Sequence, residues 1–188
     1  MIPFPHAMVG QGVSVTYTAT AWLFPTSMAN RDPGVGTAWG NPGNIGADDG
    51  SNATCILSGS GQGSQYLRAS NFNFAGQSIP SEAVITGIEA RIAHYQTDAG
   101  VISDLDVYLA DYTDNDPLSL SRGKYGAAWP TSEVVQDYGA QNDTWGLTLT
   151  KALLETTTFA LLLRCWIPGS GSSVGTVDYV QLRAHYYF

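Results

Sequence analysis

The stretch TVDYVQLRAHYYF, residues 176 to 188, is central to the fold class because its apolar residues recur at every second position. The apolar series is Val180, Leu182, Ala184, Tyr186 and Phe188, and Gln181, Arg183 and His185 alternate with it. Successive side chains of a strand point to opposite faces of a sheet, so the pattern predicts a half-buried β-strand. Tyr187 and Phe188 are expected to lie in a sheet or an interaction surface, since a frayed end would leave aromatic rings in water.

Six other stretches show the same alternation, and each is predicted to form a strand. They cover residues 13–24, 64–74, 83–95, 104–112, 145–150 and 159–167. In the first of them Tyr17 belongs to the apolar series and is therefore expected to be buried. The less regular stretch 108–139 is expected to carry short strands joined by long loops. A single helical turn is predicted in LTKALLETTT, residues 149–158, with Thr150 as its N-cap.

Seven or more strands without crossover helices predict an all-β fold, a single antiparallel β-sandwich of the jelly-roll kind. The length of 188 residues is ordinary for one domain with one core. The opening segment MIPFPHAMVGQG is rich in proline and shows neither helical nor strand periodicity. The sequence therefore predicts an extended N-terminal arm over residues 1–12 and a sandwich domain over residues 13–188.

Composition restricts the partners and the compartment. Charged residues make up only 13% of the chain, and the formal net charge is −8, so a nucleic-acid partner is not expected. No apolar run approaches the ~20 residues of a membrane span, and no basic-then-apolar leader opens the chain. These features predict synthesis in a cytoplasm without secretion and no membrane partner. Cys55 and Cys165 lie in apolar, strand-like surroundings, which favours free thiols over a bridge.

Two acidic stretches offer oxygen ligands of the kind that calcium prefers. Asp48 and Asp49 lie in NPGNIGADDGSNATC, and Asp114 and Asp116 lie in ADYTDNDP. Asp-Gly pairs and Asp residues before proline are also common turn signals. The sequence thus favours structural turns and no cofactor, with calcium as the alternative.

No catalytic motif is present in the sequence, and the prediction is that the chain is not an enzyme. The three histidines are far apart, and no G-x-S-x-G motif positions a nucleophile. A weaker alternative is a glycoside hydrolase with two carboxylates brought together by the fold. Its candidates would be the Asp residues within 104–116, of which Asp104 and Asp106 are placed on one face of a strand by alternation.

Aromatic residues are the main candidates for interaction. Most of the five tryptophans are expected to fill the core, and Trp39 and Trp129 are expected to be exposed because they adjoin loops rich in proline or glycine. Alternatively, tyrosines and the five tryptophans could form a platform for sugar rings; the tryptophans are Trp22, Trp39, Trp129, Trp145 and Trp166. Ile2 and Phe4 in the arm, together with Tyr187 and Phe188, complete the predicted interaction residues.

Several motifs in a fixed order carry a family resemblance. AWGNPGNIGADDGSNATC is followed by SQYLRASNFNFAGQSIPSEAVITGIEARI, and DTWGLTLT is followed by FALLLR and VDYVQLRAHYYF. Over roughly residues 38–188 this order resembles β-sandwich proteins from the structural-gene modules of tailed bacteriophages. The resemblance implies a virion component such as a capsid decoration protein, a collar or head-fibre protein, or a tail-associated adsorption module.

Two functions follow as expectations. The first is a non-enzymatic capsid decoration or cement subunit in the virion, which binds capsid or other virion proteins through the arm and self-associates around a symmetry axis. The alternative is a tail, collar or fibre-associated module that binds host-surface carbohydrate through exposed aromatic residues.

Overall fold

A computed structural model describes residues 15–32, 34–98, 101–111 and 118–188. These residues form two antiparallel sheets that pack face to face, so the predicted all-β sandwich is confirmed. The strands are β1 Tyr17–Ala19, β2 Ser27–Arg31, β3 Ala53–Ser58, β4 Tyr66–Ser70, β5 Val84–Gln96, β6 Ser103–Asp111, β7 Val134–Gly139, β8 Phe159–Trp166 and β9 Ser172–Tyr187. The helices are the short α-helix α1, Lys151–Leu154, and 3₁₀ turns at Pro42–Gly46 and Phe74–Gln77.

Strand β9 organises the larger sheet, sheet A, which has the order β1-β9-β5-β7. It pairs with β5 along most of its length, while its other edge pairs with β1 near one end and with β3 near the other. The smaller sheet, sheet B, has the order β2-β4-β8-β6. Pairing between the named strands is antiparallel throughout both sheets.

The core lies between the sheets and follows the alternation seen in the sequence. Val180, Leu182 and Ala184 of β9 are buried, whereas Gln181 and Arg183 remain partly exposed. Strand β8 supplies the facing surface with Phe159, Leu161, Leu163 and Cys165. Burial of these apolar side chains is the main favourable contribution to the stability of such a sandwich.

The first predicted strand is much shorter than its alternation indicates. Only Tyr17–Ala19 form β1, and Tyr17 is 60% exposed, so its predicted burial is wrong. The chain turns along the edge of β9, where the Thr20 hydroxyl accepts a hydrogen bond from the backbone of Ala184 at 3.0 Å. Pairing with β9 therefore directs the threonine face inward, and Tyr17 faces outward.

The predicted strand at 145–150 is also wrong. Trp145 has a left-handed backbone with φ of 57°, and its backbone N–H donates to Asp143 Oδ1 at 2.8 Å in a turn. The apolar residues of this stretch cover one end of the core and do not pair with a strand. The helical turn that follows is confirmed as α1, and Thr150 caps it by accepting a hydrogen bond from Leu153 N at 3.1 Å.

Strands β2 and β3 were not predicted, and β3 begins inside the predicted Asp-Gly loop, whereas β7 is a short strand within the stretch 108–139 where short strands were expected. In β3 the buried residues Ala53, Cys55 and Leu57 alternate with the 65% exposed Ile56. Cys55 and Cys165 are both buried and free, as expected.

The C-terminal residues are held in sheet A. Tyr187 belongs to β9, and Phe188 exchanges backbone hydrogen bonds with Thr16 at 3.1 and 3.3 Å. This confirms the expectation that the aromatic end lies in a sheet. The predicted arm at 1–12, with Ile2 and Phe4, lies outside the described residues.

Candidate functional site

Trp39 and Trp129 are not exposed, and their prediction as surface interaction residues is wrong. Their exposed fractions are 2% and 4%. Each indole N–H donates to a buried acceptor, from Trp39 to the Gln65 carbonyl at 2.9 Å and from Trp129 to Asp104 Oδ1 at 2.8 Å. A buried indole N–H needs such a partner, so both rings are fixed inside the fold.

A buried polar cluster surrounds Asp104 at one end of the sandwich. Besides Trp129, Asp104 accepts hydrogen bonds at Oδ2 from the Tyr138 hydroxyl at 2.9 Å and from Lys124 N at 2.8 Å. The His94 ring contacts the Trp129 ring in a tilted arrangement with centroids 4.5 Å apart, and its Nδ1 lies 3.2 Å from the Ile92 carbonyl. Burial lowers the pKa of His94, although the nearby Asp104 opposes that shift.

The Asp104 cluster is closely packed and internally hydrogen-bonded. Three donors converge on the two oxygens of Asp104, and the adjoining cavity of about 50 Å³ has room for little more than water. Asp106 points to the opposite face of β6 because the pairing with β8 shifts between Asp104 and Asp106. The expectation that these two carboxylates share a face is therefore wrong, and a β-bulge is the reason.

A different aromatic pair lies at the surface, beside β6 and at the end of β8. Tyr125 is 65% exposed and stacks on Trp166 with centroids 5.0 Å apart and an interplanar angle of 28°. Because Trp166 supports one face of the Tyr125 ring, the other face is available for contact with a ligand ring. We call this pair the Tyr125 platform.

A groove of about 350 Å³ lies between the Gly63 loop and Arg164 of β8. Gly63 bridges to Trp166, and Arg164 lies two residues before Trp166 on the same outer face of the strand. The groove is lined by Val35, Gly36, Thr37, Gly61, Gln62, Gly63 and Arg164. Its volume is within the range typical of small-molecule sites.

Polar groups of several kinds surround this groove. The Gln62 amide donates to the Thr37 hydroxyl at 3.0 Å, and Arg164 Nε donates to the Ser64 carbonyl at 2.8 Å while its guanidinium lies 5.7 Å from the Tyr66 ring. Burial and a hydrogen bond with Asp106 raise the pKa of Tyr108, on the same face of sheet B, to about 12. Its phenol therefore stays protonated at neutral pH.

Tyr125 is not among the interaction residues predicted from the sequence, in which tryptophans were the candidates for exposed loop aromatics. The available signal was its position in RGKYGAA, where flanking glycines leave the ring few neighbours in the chain. Trp166 was included among the tryptophans considered as a sugar platform, and it is the one that now supports an exposed aromatic ring.

The calcium candidates divide between described and undescribed residues. Asp48 and Asp49 are exposed, and Asp49 Oδ1 accepts a hydrogen bond from Ser51 N at 2.8 Å in an Asx turn. Asp114 and Asp116 lie outside the described residues. Within the described ranges, no three His, Cys, Asp or Glu side chains are arranged to hold a metal ion by themselves.

No protein-family model matches the chain, and no curated protein matches it. Among solved structures the chain is similar to the CBM22-1 xylan-binding domain from Paenibacillus barcinonensis Xyn10C, with 10% sequence identity and a TM-score of 0.31. The match covers 84% of this chain and 92% of that domain. Similarity at this TM-score carries no argument about ligand or function. None of the helices in the described ranges has the length and apolar character that a membrane span requires.

Proposed function

We propose that the chain is a non-enzymatic accessory protein of a phage particle that binds host-surface carbohydrate through the Tyr125 platform and the adjoining groove. The association with a phage particle is based on the sequence resemblance over residues 38–188. The carbohydrate role is based on one observation, the exposed Tyr125 ring supported by Trp166 beside an open groove.

The chemistry of this surface suits a sugar. Sugar rings present an apolar C–H face that stacks on an aromatic ring, and hydroxyl groups that hydrogen-bond at the ring edge. Tyr125 provides the stacking face, while Thr37, Gln62 and Arg164 line the groove with hydroxyl, amide and guanidinium groups.

The test is binding of purified protein to an array of bacterial capsule and lipopolysaccharide polysaccharides, followed by calorimetric titration of any polysaccharide bound. Tyr125→Ala should weaken binding by about tenfold or more, since loss of the stacking ring removes at least ~1.4 kcal/mol. Tyr125→Phe keeps the ring and should retain most of the affinity.

Tyr17→Ala is the matched control, because Tyr17 is equally exposed but lies on sheet A. It should leave glycan binding unchanged. Absence of binding across the array, or equal binding by Tyr125→Ala and the unaltered chain, would overturn the carbohydrate role. Release of reducing sugar from any bound polysaccharide would instead show that the chain is an enzyme.

A second candidate function is capsid decoration, and a separate surface favours it. Tyr17, Val84 and Phe188 are 60%, 47% and 48% exposed, and the Tyr17 ring lies 5.4 Å from that of Tyr187. We call these four residues the terminal patch. In this role the patch would dock on a capsid protein or on a second copy of the chain.

A further inference from the structure

Two oxygen-bearing side chains meet where the loop after Pro42–Gly46 joins β3. The pairing of Ala53 with Val177 places Asn52 across from Asp178, one step beyond the last paired residues of β3 and β9. The carboxylate of Asp178 is almost fully buried, with 2% of the residue exposed. Asp48 and Asp49 lie in the same loop, close enough to act electrostatically on Asp178.

Neither of these two side chains has all its oxygens paired. Asn52 Oδ1 and Asp178 Oδ1 are both buried, and no donor among the described residues reaches either of them. A buried acceptor without a partner costs about 1–3 kcal/mol, and more when it is charged. Two such acceptors at one position indicate that a group with positive charge belongs between them.

Reversing the Asn52 amide does not solve the problem. Its Nδ2 donates to the Gly50 carbonyl at 3.0 Å, which fixes Oδ1 on the other side. A reversed amide would instead direct Oδ1 at the Gly50 carbonyl and create a new repulsion. The Gly50 backbone N–H already serves the Asp178 carboxylate, so the loop has no further donor at Gly50 to offer.

The charges around Asp178 are also unfavourable to an unaccompanied carboxylate. Burial raises the pKa of Asp178, and the negative charges of Glu133, Asp48 and Asp49 raise it further. A cation bound at the unpaired Asp178 Oδ1 would offset the burial and the repulsion together.

We propose that Asp178 and Asn52 form the centre of a calcium site that binds the 47–52 loop to β9. Calcium takes about six to eight oxygen ligands, including carboxylates, amide oxygens, backbone carbonyls and water. The mixture at this position matches that preference, while a transition metal would require the His or Cys ligands that this loop lacks. Water and backbone carbonyls would complete the coordination, and the negative charges of Asp48 and Asp49 would favour the bound cation at a distance.

The test is calorimetric titration of calcium chloride into chelator-treated full-length protein, with the melting temperature recorded in calcium and in chelator. We expect saturable binding and a higher melting temperature in calcium. Asp178→Asn is nearly isosteric and should reduce calcium affinity by roughly tenfold or more, because it removes the buried charged ligand. Glu82→Gln, which removes an exposed carboxylate far from the loop in sequence, should bind calcium like the unaltered chain.

A second readout keeps the test valid if Asp178→Asn does not fold. Terbium can replace calcium, and the Tyr179 ring beside the site should sensitise its luminescence in the unaltered protein. Asn52→Ala should lower that luminescence. No heat of calcium binding together with no sensitised terbium emission would overturn the site, as would full calcium affinity in a folded Asp178→Asn variant. The site is independent of glycan binding, which Tyr125→Ala tests separately.

Discussion

At the scale of single residues, the direction and burial of each side chain determine which aromatic and acidic groups can reach a ligand. Trp39 and Trp129 follow glycine or alanine residues in loops, but their indole N–H groups turn inward to buried acceptors. The turn residues beside these tryptophans predict that the backbone bends there. They do not predict the direction in which the indole ring points. Tyr125 could not be distinguished from other tyrosines because its exposure depends on Trp166, which is 41 residues away in sequence.

His94 gives a residue-scale prediction about pH. Burial lowers the pKa of His94, while the facing Asp104 opposes and Lys124 adds to that shift. The folded state therefore binds this proton less readily than the unfolded state, in which the pKa is about 6.5. Stability from neutral His94 is fully present above pH 6.5 and is lost as the pH falls below it. We expect the free energy of unfolding to decrease between pH 7 and pH 5, by less in His94→Gln.

The pH range distinguishes the loss of stability caused by protonation of His94 from the loss caused by protonation of carboxylates. Hydrogen bonds from Arg122 lower the pKa of Asp143, and for Glu89 bonds from Arg183 and His185 outweigh the burial that would raise its pKa. Both carboxylates lose their stabilising effect only below about pH 4.5. An NMR titration of the His94 ring provides the direct check, and a midpoint at or above 6.5 would contradict the prediction.

At the scale of elements, the long strands could be predicted from the sequence, but the irregularities within them could not. β5, β6, β8 and β9 form where the sequence predicts strands, although both faces of β8 are buried over residues 159–163. The bulge in β6 reverses the direction of the side chains after it, so Asp104 and Asp106 separate. A bulge depends on the partner strand, and no local residue pattern reveals it.

At this scale we predict the effect on stability of adding a side chain at Gly87. The 140–143 loop crosses β5 at Gly87, where Thr86 Oγ1 donates to the Gln141 carbonyl at 2.9 Å. A Cβ at Gly87 would lie 2.5 Å from the Gln141 carbonyl oxygen and closer still to that of Ala140. Gly87→Ala should therefore lower the free energy of unfolding by about 2 kcal/mol or more, as measured by urea denaturation.

A matched substitution shows whether crowding is the cause. No atom lies within 4 Å of a Cβ built at Gly169. Gly169→Ala should therefore change the free energy of unfolding by less than about 0.5 kcal/mol. Equal effects of the two substitutions would mean that the loop does not press on β5 at Gly87.

At the scale of the whole molecule, fold class was predictable and the location of function was not. A sandwich follows from many strands agreeing with one another, so single errors such as 145–150 do not change the outcome. A site depends on surfaces formed by distant segments, as when Gly63 meets Trp166 or Asn52 meets Asp178. The candidate surfaces then lie on different sheets, with the Tyr125 platform at sheet B and the terminal patch on sheet A.

At this scale we predict that the terminal patch binds a phage head, and that this binding does not depend on the Tyr125 platform. In a cosedimentation assay with phage heads stripped of accessory proteins, the unaltered chain should bind saturably. Tyr17→Ser and Phe188→Ser should weaken that binding about tenfold together, because they remove exposed apolar area from the patch. Ile56→Ser is the control, since Ile56 is 65% exposed but pairs with the other end of β9. Equal binding by all variants would remove the patch from the attachment surface, and no binding by the unaltered chain would leave glycan recognition as the role to pursue.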